Sequence, residues 1–112
     1  MLFQPPEGME EYLKPTELCD ADNDQVTTKA EKLTRDASSA KESALSIFNF
    51  VRDQIPFGLD SLDTKASRTL RKGYGFCVTK TNLQVALLRS IGVPARYHQV
   101  VLHKDVLKGI VP

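Results

Sequence analysis

The chain predicts a mostly helical α+β domain. It has three to four helices, the central one starting at Cys77, followed by one or two strands of an incomplete antiparallel sheet. Three observations predict this. Apolar residues recur at helical spacing over residues 44–55, and on nearly every side over residues 78–91. Pro56, Gly73, Gly92 and Pro94 punctuate the segments at their ends. Only residues 95–102, with Tyr97, Val100, Val101 and Leu102, favour a strand, and one strand is not a sheet. Either residues 106–111 form a second strand or the remaining strands lie outside this chain.

The elements follow in order. Residues 1–21 read as an irregular lead-in, because Pro5, Pro6, Gly8 and Pro15 forbid a continuous helix, with one turn possible at residues 9–13. Cys19, in this lead-in, reads as a small semi-buried packing residue. Asp22 or Asp24 can cap a first, surface helix carrying Val26, Ala30 and Leu33 and ending near Arg35 and Asp36. Ser39 and Glu42 have the S-x-x-E form of a reciprocal cap. The core face of that second helix is Ala44, Ile47, Phe48, Val51 and Ile55, and Pro56 ends it. Asp63 can cap a short helix holding Ala66 and Leu70, closed by Lys72 and Gly73. The last helix, from about Phe76 to Ile91, carries Val78, Leu83, Val85, Ala86, Leu87, Leu88 and Ile91, and a helix apolar nearly all round is central.

Composition narrows the function classes. At 112 residues the chain is expected to be a single domain, 1–112. Its net charge of +1, with Lys and Arg scattered, gives no electrostatic reason to expect nucleic acid or an anionic membrane as partner. No run approaches the roughly 20 apolar residues of a membrane helix. The N-terminus lacks a signal-peptide pattern, so the expected location is cytoplasmic. Cys19 and Cys77 are far apart and match neither a disulfide framework nor a CxxC site; no metal or other cofactor is expected.

Cys77 is where chemistry is expected. The nucleophile in thiol chemistry is the thiolate, and an ordinary thiol with a pKa of about 8.5 is only slightly ionised at neutral pH. The unpaired N–H groups and dipole at a helix start favour the anion. Gly73 and Gly75 let the backbone approach closely, and a positive φ at Gly75 would make that position intolerant of valine. Backbone N–H groups of the loop, at Gly75 and Phe76, are candidates to stabilise an oxyanion. A cysteine in an apolar helix is more commonly an inert packing residue, and the residues alone leave both readings open. A base is also needed. His98 and His103 are the only histidines; five residues apart on a strand they face opposite ways, so at most one reaches the helix start and they do not form a joint metal site.

The runs Gly-Tyr-Gly-Phe-Cys77 and Leu83-Gln-Val-Ala-Leu-Leu-Arg-Ser-Ile-Gly-Val-Pro-Ala-Arg96 resemble the transglutaminase-like, papain-related superfamily. In that family a G-x-C loop leads into a helix ending A-L-L-R-x-x-G-I-P-A-R, and a strand follows. Residues 44–56 resemble the helix that leads into the family's I-x-Y-type segment, and residues 63–70 its D-x-x-x-x-S-x-x-L segment; the resemblance spans about residues 12–102. It implies that Cys77 is the nucleophile of a thiol acyl transferase or amide or peptide hydrolase acting on a protein or peptide. In the family a His followed by a small residue and an aromatic, and then an Asp, lie on later strands. This chain has no such motif and no Trp. His103 sits near the spacing of compact relatives and is the candidate base, with His98 and Asp105 the lesser candidates for base and third member. The sequel Lys-Asp-Val-Leu resembles instead a helical insertion that some bacterial relatives carry before their catalytic His. The resemblance therefore implies the N-terminal, helical half of the domain, weakly active or inactive alone. The alternative is a non-catalytic protein- or peptide-binding module that self-associates through its exposed strand edge, as a homodimer or strand-swapped oligomer.

Overall fold

A computed structural model describes residue 3 and residues 7–97. After a short 3-10 turn at Glu10–Leu13 come four helices: α1 (Asp24–Leu33), α2 (Ala40–Gln54), α3 (Ala66–Lys72) and α4 (Cys77–Ser90). Helix α4 packs against each of the other three and against the 3-10 turn. Its Leu83, Ala86 and Leu87, with Ile91 just beyond its end, are fully enclosed. Around them lie Val26 and Ala30 of α1, Ile47 and Val51 of α2, Ile55, Ala66 of α3 and Cys19. The expected central helix is thus central, and it begins at Cys77. None of the helices among the described residues is long and apolar enough to cross a membrane.

The helix ends show how local signals and long-range contacts share the work. Gly92, at φ +92°, ends α4 in a Schellman motif: its N–H donates to Arg89 O (3.2 Å) and that of Val93 to Leu88 O (3.0 Å). Gly73, at φ +78°, ends α3 as expected, its N–H donating to Thr69 O at 2.9 Å. At the start of α2, Ser39 Oγ accepts from the Glu42 N–H (3.1 Å). The return bond lands one residue early: Glu42 Oε2 accepts from the N–H (2.8 Å) and hydroxyl (2.9 Å) of Ser38. These two bonds hold the Glu42 carboxyl below the usual carboxylate range.

Two expected caps are replaced. Helix α1 is capped by neither Asp22 nor Asp24 but by Asn23, whose Oδ1 accepts from Gln25 N (2.9 Å) and Val26 N (3.3 Å). The helix closes at Leu33, before Arg35, because the Thr34 hydroxyl and N–H both turn back to Ala30 O. Helix α3 has Lys65 at its N-cap, with no cap from Asp63, which instead accepts a bond from the Ser61 hydroxyl. The α3 start is completed from the lead-in: Asp20 Oδ1 accepts from Ser67 N at 3.0 Å and Leu18 O from Ala66 N at 2.9 Å. The lead-in is therefore structural even though it is irregular.

Two further expectations change. Phe48, assigned to the α2 core face, is 42% exposed, while Ser43 is fully buried. The buried stripe of α2 runs Ser43, Ile47, Val51, four residues apart, and Phe48 falls to one side of it. The expected strand is not seen over residues 95–97, and residues 98–112, including the rest of that strand and residues 106–111, lie outside the described residues. Over 95–97 the polar groups go elsewhere. Ala95 N donates to Tyr12 O (3.0 Å), and Ala95 O accepts from Arg89 Nε (3.0 Å) and Nη2 (2.8 Å). The Tyr97 hydroxyl donates to Asn82 Oδ1 (2.7 Å). Among the described residues the one β-type contact is an isolated parallel bridge between Phe57 and Gly75, so none of them presents the strand edge expected to recruit a partner.

Candidate active site

Cys77 is the first residue of α4, and three features set its position. Helix α4 is held by the core on several sides, so its start cannot shift without disturbing Leu83 and Leu87. The loop in front of it begins at the left-handed Gly73 and is pinned to the segment after α2. Gly75 N donates to Pro56 O (3.2 Å) and Gly58 N to Gly75 O (2.8 Å). Finally, the buried Thr79 ties the first turn to the loop: its Oγ1 accepts from Phe76 N at 3.0 Å.

Gly75 is needed for space rather than for its φ, which lies outside the left-handed region that Gly8, Gly73 and Gly92 occupy. A Cβ there would stand 2.5 Å from Thr79 Oγ1 and 3.1 Å from Thr69 Cγ2. Gly58 plays the same part across the bridge, where a Cβ would meet Tyr74 Cδ2 at 2.6 Å. The role of Gly58 is not legible in the sequence, since it depends on which ring lies over it.

The loop amides divide cleanly. Those of Gly75 and Phe76, the sequence candidates for an oxyanion site, already donate to Pro56 O and Thr79 Oγ1. Those of Cys77 and Val78 have no acceptor among the described residues, because the first N–H groups of a helix lack an internal partner and Phe76 offers no side-chain cap.

Cys77 is exposed. It opens into a groove of about 380 Å³ between α2 and α4, lined by Phe48, Val51, Arg52, Phe57, Lys80, Thr81 and Gln84. Arg52 lies over the Phe48 ring (5.4 Å) and is bonded to Asp53 through Nε (2.8 Å) and Nη2 (3.0 Å). The Thr81 hydroxyl donates to Cys77 O at 2.6 Å. A larger groove, about 700 Å³, lies between α1, α2 and α3, but the described residues that line it include no cysteine or histidine, and the groove at Cys77 is the one that holds the candidate nucleophile.

The structure thus brings Gly75, Phe76 and Cys77 together at one helix start. His98 and His103, like Asp105, lie outside the described residues. Sequence reasoning missed Phe48, Phe57 and Lys80 as neighbours of Cys77. Phe48 carries no signal in the sequence that separates it from the core face of α2; its exposure emerges only from the packing.

The chain is similar to known proteins in family pattern and in fold. No curated protein sequence matches the chain. A crystal structure of a putative cysteine protease from Cytophaga hutchinsonii is similar in fold, with a TM-score of 0.71 at 21% sequence identity. The similarity covers 80% of this chain and 31% of that one, so the chain corresponds to under a third of that protein's length. The family pattern of the transglutaminase-like superfamily matches residues 27–108, which include the whole of α2, α3 and α4 and the loop before Cys77. This chain belongs to the transglutaminase-like superfamily.

Proposed function

We propose that the chain is a cysteine-nucleophile module that forms a thioester with an amide of a protein or peptide. The observation that carries this reading is an exposed Cys77 at the first position of the buried central helix, beside two amides without acceptors among the described residues. The Cys77 sulfur, as thiolate, attacks the amide carbon. An S–C bond forms, and the carbonyl oxygen takes up negative charge that the Cys77 and Val78 N–H groups are placed to stabilise. The C–N bond then breaks, and the amine leaves with a proton that an imidazolium must supply. His103 is our candidate for that imidazole. Transfer of the acyl group to water gives hydrolysis or deamidation; transfer to an amine gives a cross-link.

Gly75 and Phe76 act here by shaping the loop rather than by binding the oxyanion, since their amides are already engaged.

The test is acylation by an activated ester, p-nitrophenyl acetate, followed by intact and peptide mass analysis. The expected result is one acetyl group on Cys77, removed by hydroxylamine and absent in Cys77→Ser. No adduct, or acetylation of Cys19 at the same rate, would overturn the reading. In His103→Ala the adduct should still form but persist longer, because deacylation needs the base; an unchanged lifetime would remove His103 from the scheme.

A further inference from the structure

The groove beside Cys77 carries a feature that the nucleophile itself does not explain. Phe57 is 73% exposed and Phe48 is 42% exposed, although both are large apolar side chains. Both line the same groove as Cys77. The wall beside them holds two cations, Arg52 and Lys80, and no carboxylate. Arg52 is tied to Asp53, which lies outside the lining; Lys80 has no ion-pair partner among the described residues. At about 380 Å³ the groove lies at the low end of the ~300–1,000 Å³ of ligand sites, and it is open to solvent, which suits part of an extended peptide better than an enclosed small molecule.

We propose that this groove is a substrate subsite that selects a large apolar side chain with a carboxylate next to it, the apolar group resting on Phe48 and Phe57 and the carboxylate facing Lys80. The proposal rests on Cys77 being the acylated residue and adds to it a substrate class. Two exposed rings gain by removal from water when an apolar group covers them. The Lys80 ammonium at the rim, whose charge also acts on the nearby Asp53 carboxylate, contributes orientation and preference of sign more than affinity.

The experiment uses dipeptide amides carrying an N-terminal chloroacetyl group, which alkylates the Cys77 thiolate as the sulfur attacks the CH2 carbon and chloride leaves. Four probes are compared, Phe-Asp, Phe-Lys, Gly-Asp and Gly-Gly, with labelling of Cys77 followed by peptide mass analysis and each rate divided by that of iodoacetamide with the same protein. Phe-Asp is expected to react about tenfold faster than Gly-Gly, as one covered aromatic ring would produce. Phe57→Ala should bring that ratio towards one, and Lys80→Glu should reverse the order of Phe-Asp and Phe-Lys. Circular dichroism checks that both variants fold. Equal rates for the four probes, or a Phe-Asp preference unchanged in both variants, would overturn the subsite. A slow absolute rate with iodoacetamide but an intact probe ratio would uphold the subsite and overturn the nucleophile reading instead.

Discussion

The two cysteines make the sharpest contrast in the molecule. Cys19 is in an irregular segment yet fully buried, while Cys77 is on the most enclosed helix yet exposed. Burial pushes the Cys19 thiol up, against the smaller opposing pulls of the Tyr97 hydroxyl and the Arg89 guanidinium. Tyr97 is itself pushed up, chiefly by burial. Cys19 is thus part of the core, and its segment closes the core by capping α3 through Asp20. Cys77 sits where the same core ends, at a helix start where the Cys77 and Val78 amides have no acceptor among the described residues. The lesson is that secondary structure does not decide which thiol is available; the position of each relative to the end of α4 does.

The contrast can be broken at several points. The largest expected effect is in alkylation. Iodoacetamide should modify Cys77 at least about 100-fold faster than Cys19, because Cys19 reacts only through opening of the core. Comparable rates in the native protein would end the distinction. Next is Leu87→Ala, which should cost roughly 2–5 kcal/mol by denaturant unfolding and should expose Cys19 to reagent more than it alters Cys77. A loss below about 0.5 kcal/mol would mean that α4 is not the centre of the core.

Gly75→Val works from the other side. Its side chain must displace Thr79 or Thr69, costing roughly 1–3 kcal/mol and changing the reactivity of Cys77 rather than of Cys19. Unchanged melting and unchanged Cys77 labelling would rule out the close approach. The serine pair comes next: Cys19→Ser should lose about 1–2 kcal/mol by placing a hydroxyl in the core, and Cys77→Ser should stay within about 0.5 kcal/mol of the parent.

The smallest effect is on pH dependence. The folded-state pKa of Cys19 is raised, so the native state holds this proton longer than the unfolded chain does. Its contribution is complete below the unfolded thiol value of about 8.5 and is lost as pH rises towards the folded value. Stability should therefore fall above about pH 8.5, by no more than about 1.4 kcal/mol per pH unit for this one proton. Cys19→Ser should flatten that slope; an unchanged slope in urea melts at several pH values would overturn the assignment to Cys19.

Much of the site was readable before the fold. The run of apolar residues to Ile91 and the stops at Gly92 and Pro94 locate α4, and the loop Gly73-Tyr-Gly-Phe places Cys77 at its start. These are local signals, since helical period, a left-handed glycine and a proline act within a few residues. The cap of α1 was displaced by one residue, to Asn23, because three adjacent residues could each have supplied the oxygen. Phe48 was misassigned because a helical stripe has edges, and period alone does not say what meets them.

The sequence by itself determined the helices, the punctuation between them and the position of Cys77 at a helix start, because each depends on neighbours along the chain. Tertiary structure alone decided which residues meet from afar. Asp20 caps α3 across 47 residues. The buried Arg89 donates to Lys14 O (2.7 Å) and to Ala95 O, tying the lead-in to the exit from α4. Phe57 and Gly75 join as a bridge, and that bridge sets the loop from which Cys77 emerges. None of these contacts follows from a helical period, although Gly75, Arg89 and Ala95 lie in the runs that carry the family resemblance. Each comes from a backbone group that must find a partner once buried, and only the packed fold determines which partner is within reach.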